Sequence, residues 1–187
     1  MMKRRMLLPL LFLCALLLGA CAAQSAAPAA SVPPAEALSE MDLFYQNPLT
    51  APYGDIRRLD ADYSAEQAQA DRCFVIGAMV HSDDLFTAFM TDYENGEDAF
   101  IRVVQTTTEG DPILTDVLYD SAADEVLLVR DATRDAFAAE EDRVITLEHY
   151  DGVTEYGSGH LYWIAYRGAL EDLDPMSEDL FVIAAIN

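Results

Sequence analysis

Past residue 5 this 187-residue chain contains no lysine, and the residue types that carry most recognisable chemistry are scarce. It has three cysteines, three histidines and one tryptophan, and 11 basic residues stand against 33 acidic ones for a formal net charge of −22. A chain this negative, without a basic stripe, repels phosphate backbones and anionic lipid heads, which excludes nucleic acid and direct electrostatic docking on a bilayer. His81, His149 and His160 show neither H-x-x-x-H nor H-x-H spacing, so no metal site is expected. No Gly-rich phosphate loop, no G-x-S-x-G and no Ser/His/Asp order stands out, so neither a cofactor nor a catalytic residue is assigned. Asp60-Ala61-Asp62-Tyr63-Ser64 imitates the start of a calcium loop, but Ala65 stands where that loop needs Gly and Asp71 where it needs a bidentate Glu.

What is present begins at the N-terminus. Lys3, Arg4 and Arg5 form a basic n-region, and Leu7 to Leu18 form an apolar run interrupted only by Pro9. That run is too short to span a bilayer, which takes about 20 apolar residues. It closes on Leu18-Gly19-Ala20-Cys21, which resembles the bacterial lipoprotein signal, whose cysteine receives a diacylglyceryl group and becomes the mature N-terminus. The resemblance implies lipidation of Cys21, a membrane partner reached through that lipid, and an extracytoplasmic location at the cell membrane. The expected organisation is a signal peptide over 1–20, an Ala/Pro/Ser-rich linker over 21–40 and a single domain over 41–187.

With the signal removed, eight arginines against 33 carboxylates leave a net charge of −25. Such a charge reads as a solvated surface that keeps an exported domain soluble. Cys14 leaves with the signal, so Cys73 is the only remaining free thiol and no intramolecular disulfide can form. In Cys73-Phe74-Val75-Ile76 it reads as a small buried hydrophobe.

Along the domain, Met41, Leu43, Phe44 and Tyr45 can start a short helix that Pro48 and Pro52 stop. Ser64 caps a short helix over 65–68, and residues 72–80 form an apolar strand. Ser82 caps the main helix, whose Leu85, Phe86, Phe89, Met90 and Tyr93 make one apolar face that ends at Asn95-Gly96. Strands follow over 99–107, 112–120 and 125–130, separated by Glu109-Gly110-Asp111 and Ser121-Ala122-Ala123-Asp124. Further strands over 143–150, 160–167 and 180–186 continue them past a Gly-rich loop containing Asp151-Gly152 and Gly157-Ser158-Gly159 and an acidic connector over 171–179. The predicted fold class is α+β: an antiparallel meander of about five to seven strands with one main helix packed on one face.

Thr107-Thr108-Glu109-Gly110-Asp111-Pro112-Ile113 resembles the central motif of a family of short bacterial lipoproteins known as a domain of unknown function, family 4362. Tyr63-Ser64-Ala65-Glu66-Gln67-Ala68, Ile101-Arg102 and Thr133-Arg134-Asp135-Ala136-Phe137 fit the same family in order, so the resemblance spans residues 60–140. The C-terminal third departs from it, and a cysteine pair common in the family is missing. The resemblance implies a lipoprotein domain and no activity.

In a meander the Glu109-Asp111 turn and the segment after Arg130 lie at one end of the sheet, with neighbouring strands about 4.8 Å apart. Glu109, Asp111, Arg134 and Asp135 are therefore the candidate polar cluster. Its structural reading is that Arg134 ties two loops through a carboxylate. Its functional reading is an acid/base or ligand site, since paired carboxylates beside a guanidinium can tune a pKa. Tyr162 and Tyr166 share one face of a strand and read as packing rather than as a sugar site. Two functions from different classes follow: a non-catalytic binding or accessory lipoprotein of the cell envelope, with a protein or small-ligand partner, or a small hydrolase using the carboxylates at the sheet end.

Overall fold

The computed structural model describes residues 38–76, 83–156, 161–172 and 177–186. Cys21, the expected signal peptide, most of the linker, Ser82, the Gly157-Ser158-Gly159 loop, His81 and His160 lie outside the described residues. The fold is α+β, and its centre is the run of strands expected after residue 98. β2 (Ala99–Thr106), β3 (Pro112–Asp120), β4 (Glu125–Asp131) and β5 (Ile145–Tyr150) pair antiparallel in chain order. Side chains alternate between the faces with the strand period of two. Ile101, Val103, Val117, Val126 and Leu128 line one face, and Val104, Leu114, Leu118 and Val129 line the other. Each face has its own core, so β3 is buried on both sides.

The architecture departs from a single antiparallel meander in two places. β1 (Phe74–Ile76) joins the edge of the sheet in parallel with β2. Parallel neighbours need a crossover connection, and the main helix α3 (Asp83–Glu94) stands between them in the chain. α3 sets Phe86, Phe89 and Met90 into the first core. It stops at Gly96, whose φ of +69° suits glycine, with Gly96 N–H donating to the Tyr93 carbonyl and Glu97 N–H to that of Asp92.

The second departure follows β5. β6 (Gly152–Tyr156), β7 (Leu161–Tyr166) and β8 (Leu180–Ile186) form a separate three-stranded antiparallel sheet. Asp151-Gly152 reads as a turn in the sequence, yet Gly152 sits in a strand. A Cβ there would stand 2.6 Å from the Tyr166 hydroxyl oxygen and 2.7 Å from that of Tyr93, so glycine is required for close approach. Val153, Ala165 and Ile183 of this sheet pack into the same core as α3.

The other face of the five-stranded sheet is covered by residues 38–73, much of which the sequence leaves ambiguous. A helix α1 (Glu40–Phe44) begins on a capping box between Ser39 and Asp42, and takes in a residue expected to belong to the linker. A single turn of 3₁₀ helix spans Ile56–Arg58, and α2 (Ala65–Ala70) is capped by Ser64 and Gln67. Phe44, Ile56, Tyr63, Ala68 and Cys73 are buried against the sheet, and the Tyr53 and Phe44 rings lie 5.0 and 6.5 Å from that of Phe100. This arm has little regular structure, and polar ties to the sheet hold it.

Candidate functional site

Arg102 on β2 and Asp116 on β3 are the charges in the interior of two largely apolar strands, and the register sets them directly opposite each other. Their side chains are 1% and 0% exposed. Arg102 Nε donates to Asp116 Oδ1 at 2.6 Å and Nη2 donates to Oδ2 at 2.7 Å, the two-pronged geometry that guanidinium and carboxylate share. The other donors reach the arm: Nη1 donates to the Tyr53 carbonyl at 2.7 Å and Nη2 to the Gly54 carbonyl at 2.8 Å. The Tyr45 hydroxyl donates to Asp116 Oδ2 at 2.9 Å. Burial pushes the Asp116 carboxyl up, and the Arg102 guanidinium opposes it. Burial also works against the charge on Arg102, but its hydrogen bonds to Asp116 prevail and hold it above its ordinary range. Charges this deep persist only when their hydrogen-bonding capacity is met. Here it is met partly by the backbone of the arm.

Arg134 repeats the arrangement at the next end of the sheet. It pairs with Asp131 at the end of β4, whose side chain is 1% exposed, and donates to the carbonyls of Leu59 at 3.1 Å and Asp60 at 3.2 Å. Asp131 also accepts from the backbone N–H and hydroxyl of Thr133, which shapes the loop that carries Arg134. Smaller ties complete the arm. Arg57 bridges Asp42 at 2.9 Å and Asp55 at 2.7 Å, and with the Ser39 hydroxyl it holds the Asp42 carboxyl down at about 2. His149 on β5 presents Nδ1 to Glu125 of β4 at 2.6 Å and Nε2 to Glu40 of α1 at 2.8 Å.

The four residues singled out from sequence separate into two arrangements. Asp111 and the 133–137 loop do meet at one sheet end, where Asp111 Oδ2 accepts from Ala136 N–H at 2.9 Å. Asp135 Oδ1 accepts from the N–H groups of Phe137 and Ala138 at 3.1 and 3.0 Å. Arg134 turns away from both toward Asp131 and the arm, and Glu109 is exposed at the turn tip. Arg134 ties its loop to the arm, but through the backbone carbonyls of Leu59 and Asp60 rather than through a carboxylate of another loop, and the carboxylate it holds is Asp131 of its own segment. The Arg102–Asp116 pair was the larger omission. Its signal was available: one interior charge, of opposite sign, in each of two neighbouring strands.

Cys73 is 4% exposed beside the Tyr63 hydroxyl, and burial pushes its thiol up, opposite to an activated nucleophile. Among the described residues no group of His, Cys, Asp or Glu is placed to hold a metal ion, and no helix is long and apolar enough to cross a membrane. A cavity of about 600 Å³ opens beside Tyr45, Asp55, Arg57 and Arg58 of the arm. Another, of about 360 Å³, lies between α3 and the sheets, walled by Phe74, Phe86, Met90 and Trp163. None of Glu109, Asp111, Arg134 and Asp135 lines either one.

A family model described as a domain of unknown function (DUF4362) matches residues 70–157. The matched span runs from just before β1 to the end of β6 and contains Arg102, Asp116, Asp131 and Arg134, whereas the carbonyls these arginines hold lie upstream of it. No curated protein and no solved structure matches the chain.

Proposed function

We propose that the chain is a lipid-anchored, extracytoplasmic lipoprotein whose domain is a non-catalytic binding or accessory module of the cell envelope. The observation that supports the non-catalytic reading is how the buried and clustered charges are used. Arg102, Asp116, Arg134 and Asp131 hold the arm to the sheet, and Asp111 and Asp135 accept backbone N–H groups that shape loops. A general acid or base needs a proton position facing a substrate. These carboxylates are instead taken up by the protein's own arginines, hydroxyls and backbone N–H groups, and neither cavity has them in its wall.

The anchoring part rests on Leu18-Gly19-Ala20-Cys21 and on the arm. A domain tethered through its N-terminus takes a pull on the tether through the arm, which the buried ion pairs hold at Tyr45, Tyr53, Gly54, Leu59 and Asp60. A lipid-modified terminus carrying more than one acyl chain gives stable membrane attachment. Metabolic labelling of cells with a palmitate analogue tests this. The wild type should carry label and sediment with membranes, and Cys21→Ala should carry none. Label retained on Cys21→Ala, or wild type wholly in the medium, would refute it.

A further inference from the structure

Beside α3 the wall made by Phe86, Met90 and Trp163 opens into the cavity of about 360 Å³, whose lining also includes Glu94, an exposed residue. We propose that this cavity binds a small organic ammonium cation, its apolar body against the rings and its charged head at Glu94. The inference deepens the reading of the domain as a binding module by naming a ligand class.

Size and lining suit such a molecule. Small-molecule sites run from about 300 to 1,000 Å³ and combine apolar walls with few polar groups. The rings of Phe86 and Trp163 lie 5.0 Å apart and tilted by 41°, an aromatic wall in which Phe86 is buried and Trp163 half-buried, so the organic body meets it chiefly at Trp163. The Met90 thioether adapts to irregular shapes. Thr91 spends its hydroxyl on the Thr87 carbonyl at 2.7 Å, so that part of the wall makes no competing demand.

Charge selects the head group. Glu94 is the last residue of the twelve-residue α3, and the carbonyl end of a helix carries negative partial charge that a cation relieves. Helices commonly meet this with a basic side chain in the last turn, and α3 has none there. Glu97 and Asp98 stand three and four residues further on, in a chain of net charge −22. An anion of the same shape meets repulsion from these carboxylates, while the Trp163 Nε1–H, buried without a hydrogen-bond partner among the described residues, is left for an acceptor on the body of the ligand.

Trp163 is the single tryptophan of the chain, so its emission reports the cavity directly. The full chain, purified in an uncharged detergent, is titrated with 2-phenylethylammonium, 2-phenylethanol and 3-phenylpropionate. The expected result is a saturable emission change, with the cation on the order of tenfold tighter than the anion. Glu94→Gln should weaken the cation about two- to fivefold, as befits a partly exposed ion pair, and leave the alcohol unchanged. Glu94→Lys should reverse the preference between cation and anion. Glu94 is exposed, so both variants should melt as the wild type does. No saturable change with the cation at millimolar concentration, equal affinity for cation and anion, or an unaltered order in Glu94→Lys would overturn the proposal. Cys21 labelling is independent of all three, so failure of the cavity and failure of the anchor are distinguishable.

Discussion

Removing one partner of the Arg102–Asp116 pair should be among the most damaging changes in this domain, and removing both should be far less so. In Arg102→Met the Asp116 carboxylate stays at 0% exposure with only the Tyr45 hydroxyl to receive, and the carbonyls of Tyr53 and Gly54 lose their donors. Breaking a buried pair from one side costs about 3 to 5 kcal/mol, against a total stability of roughly 5 to 15 kcal/mol for a typical domain. At about 2 to 4 °C per kcal/mol for this chain length, Tm should fall by roughly 10 °C. Asp116→Leu strands the guanidinium instead and should cost a similar amount. The double variant buries no charge. It loses the hydrogen bonds to Tyr45, Tyr53 and Gly54, at about 1 kcal/mol each, and regains apolar packing, so it should sit about 1 to 3 kcal/mol below wild type. Urea unfolding of the four proteins closes the cycle. Additive costs in the double variant, or a single-variant loss under about 1 kcal/mol, would mean that the pair does not hold the structure as its geometry implies.

Arg134→Ala should cost about 1 to 3 kcal/mol, and Arg134→Lys should recover less than half, because one ammonium cannot serve Asp131 and two carbonyls at once; a thermal melt of each reads this, and a lysine variant equal to wild type would contradict it. His149 faces two carboxylates with both ring nitrogens, and although burial works the other way, Glu125 and Glu40 raise its pKa above the ordinary value. A raised histidine contributes stability that is complete below the unfolded value near 6.5 and is lost as pH rises through the higher folded value. The Tm difference between wild type and His149→Gln should therefore shrink from pH 6 upward, and a difference that grows would refute the assignment. Glu148 works in the opposite sense: Arg167 at 2.8 Å holds its carboxyl below the ordinary range, so the stability it contributes should be present at neutral pH and lost only as pH falls through that lowered value. A Glu148→Gln melt series between pH 2 and 7 checks it, and a difference from wild type that grows as pH falls below the ordinary glutamate range would contradict it.

Much of the central sheet was legible because β2 to β5 follow short-range rules: aliphatic runs separated by turn residues, and an amphipathic α3 stopped by Asn95-Gly96. The meeting of Asp111 with the 133–137 loop followed from the same regularity, since strands that reverse at each turn bring alternate turns to one end. What was not legible depended on distance. The parallel placement of β1 turns on which sheet edge is free once α3 has packed, which no local pattern records. Gly152 looks like any turn glycine until Tyr93 and Tyr166, 59 residues behind and 14 ahead of it, close on its α-carbon. The stretch of the arm between its two short helices was unreadable for a related reason: with Pro48 and Pro52 breaking its periodicity, its order comes from Arg102 and Arg134, far along the chain. The polar cluster was misdrawn because Arg134 was matched to the nearest turn carboxylates, while Asp131, three residues before it, was already buried at the end of β4.

Native-state hydrogen exchange over residues 40–60 tests most directly whether these arginines make the arm part of the folded domain. If Arg102 and Arg134 clamp it, the hydrogen-bonded amides of Tyr53, Gly54 and Arg58 should be protected to a level approaching that of the β3 amides in wild type, and should open locally in the Arg102→Met/Asp116→Leu double variant while β3 stays protected. Arm amides that exchange freely in the wild type, with β3 fully protected, would show that the buried pairs do not fasten the arm and would contradict the account.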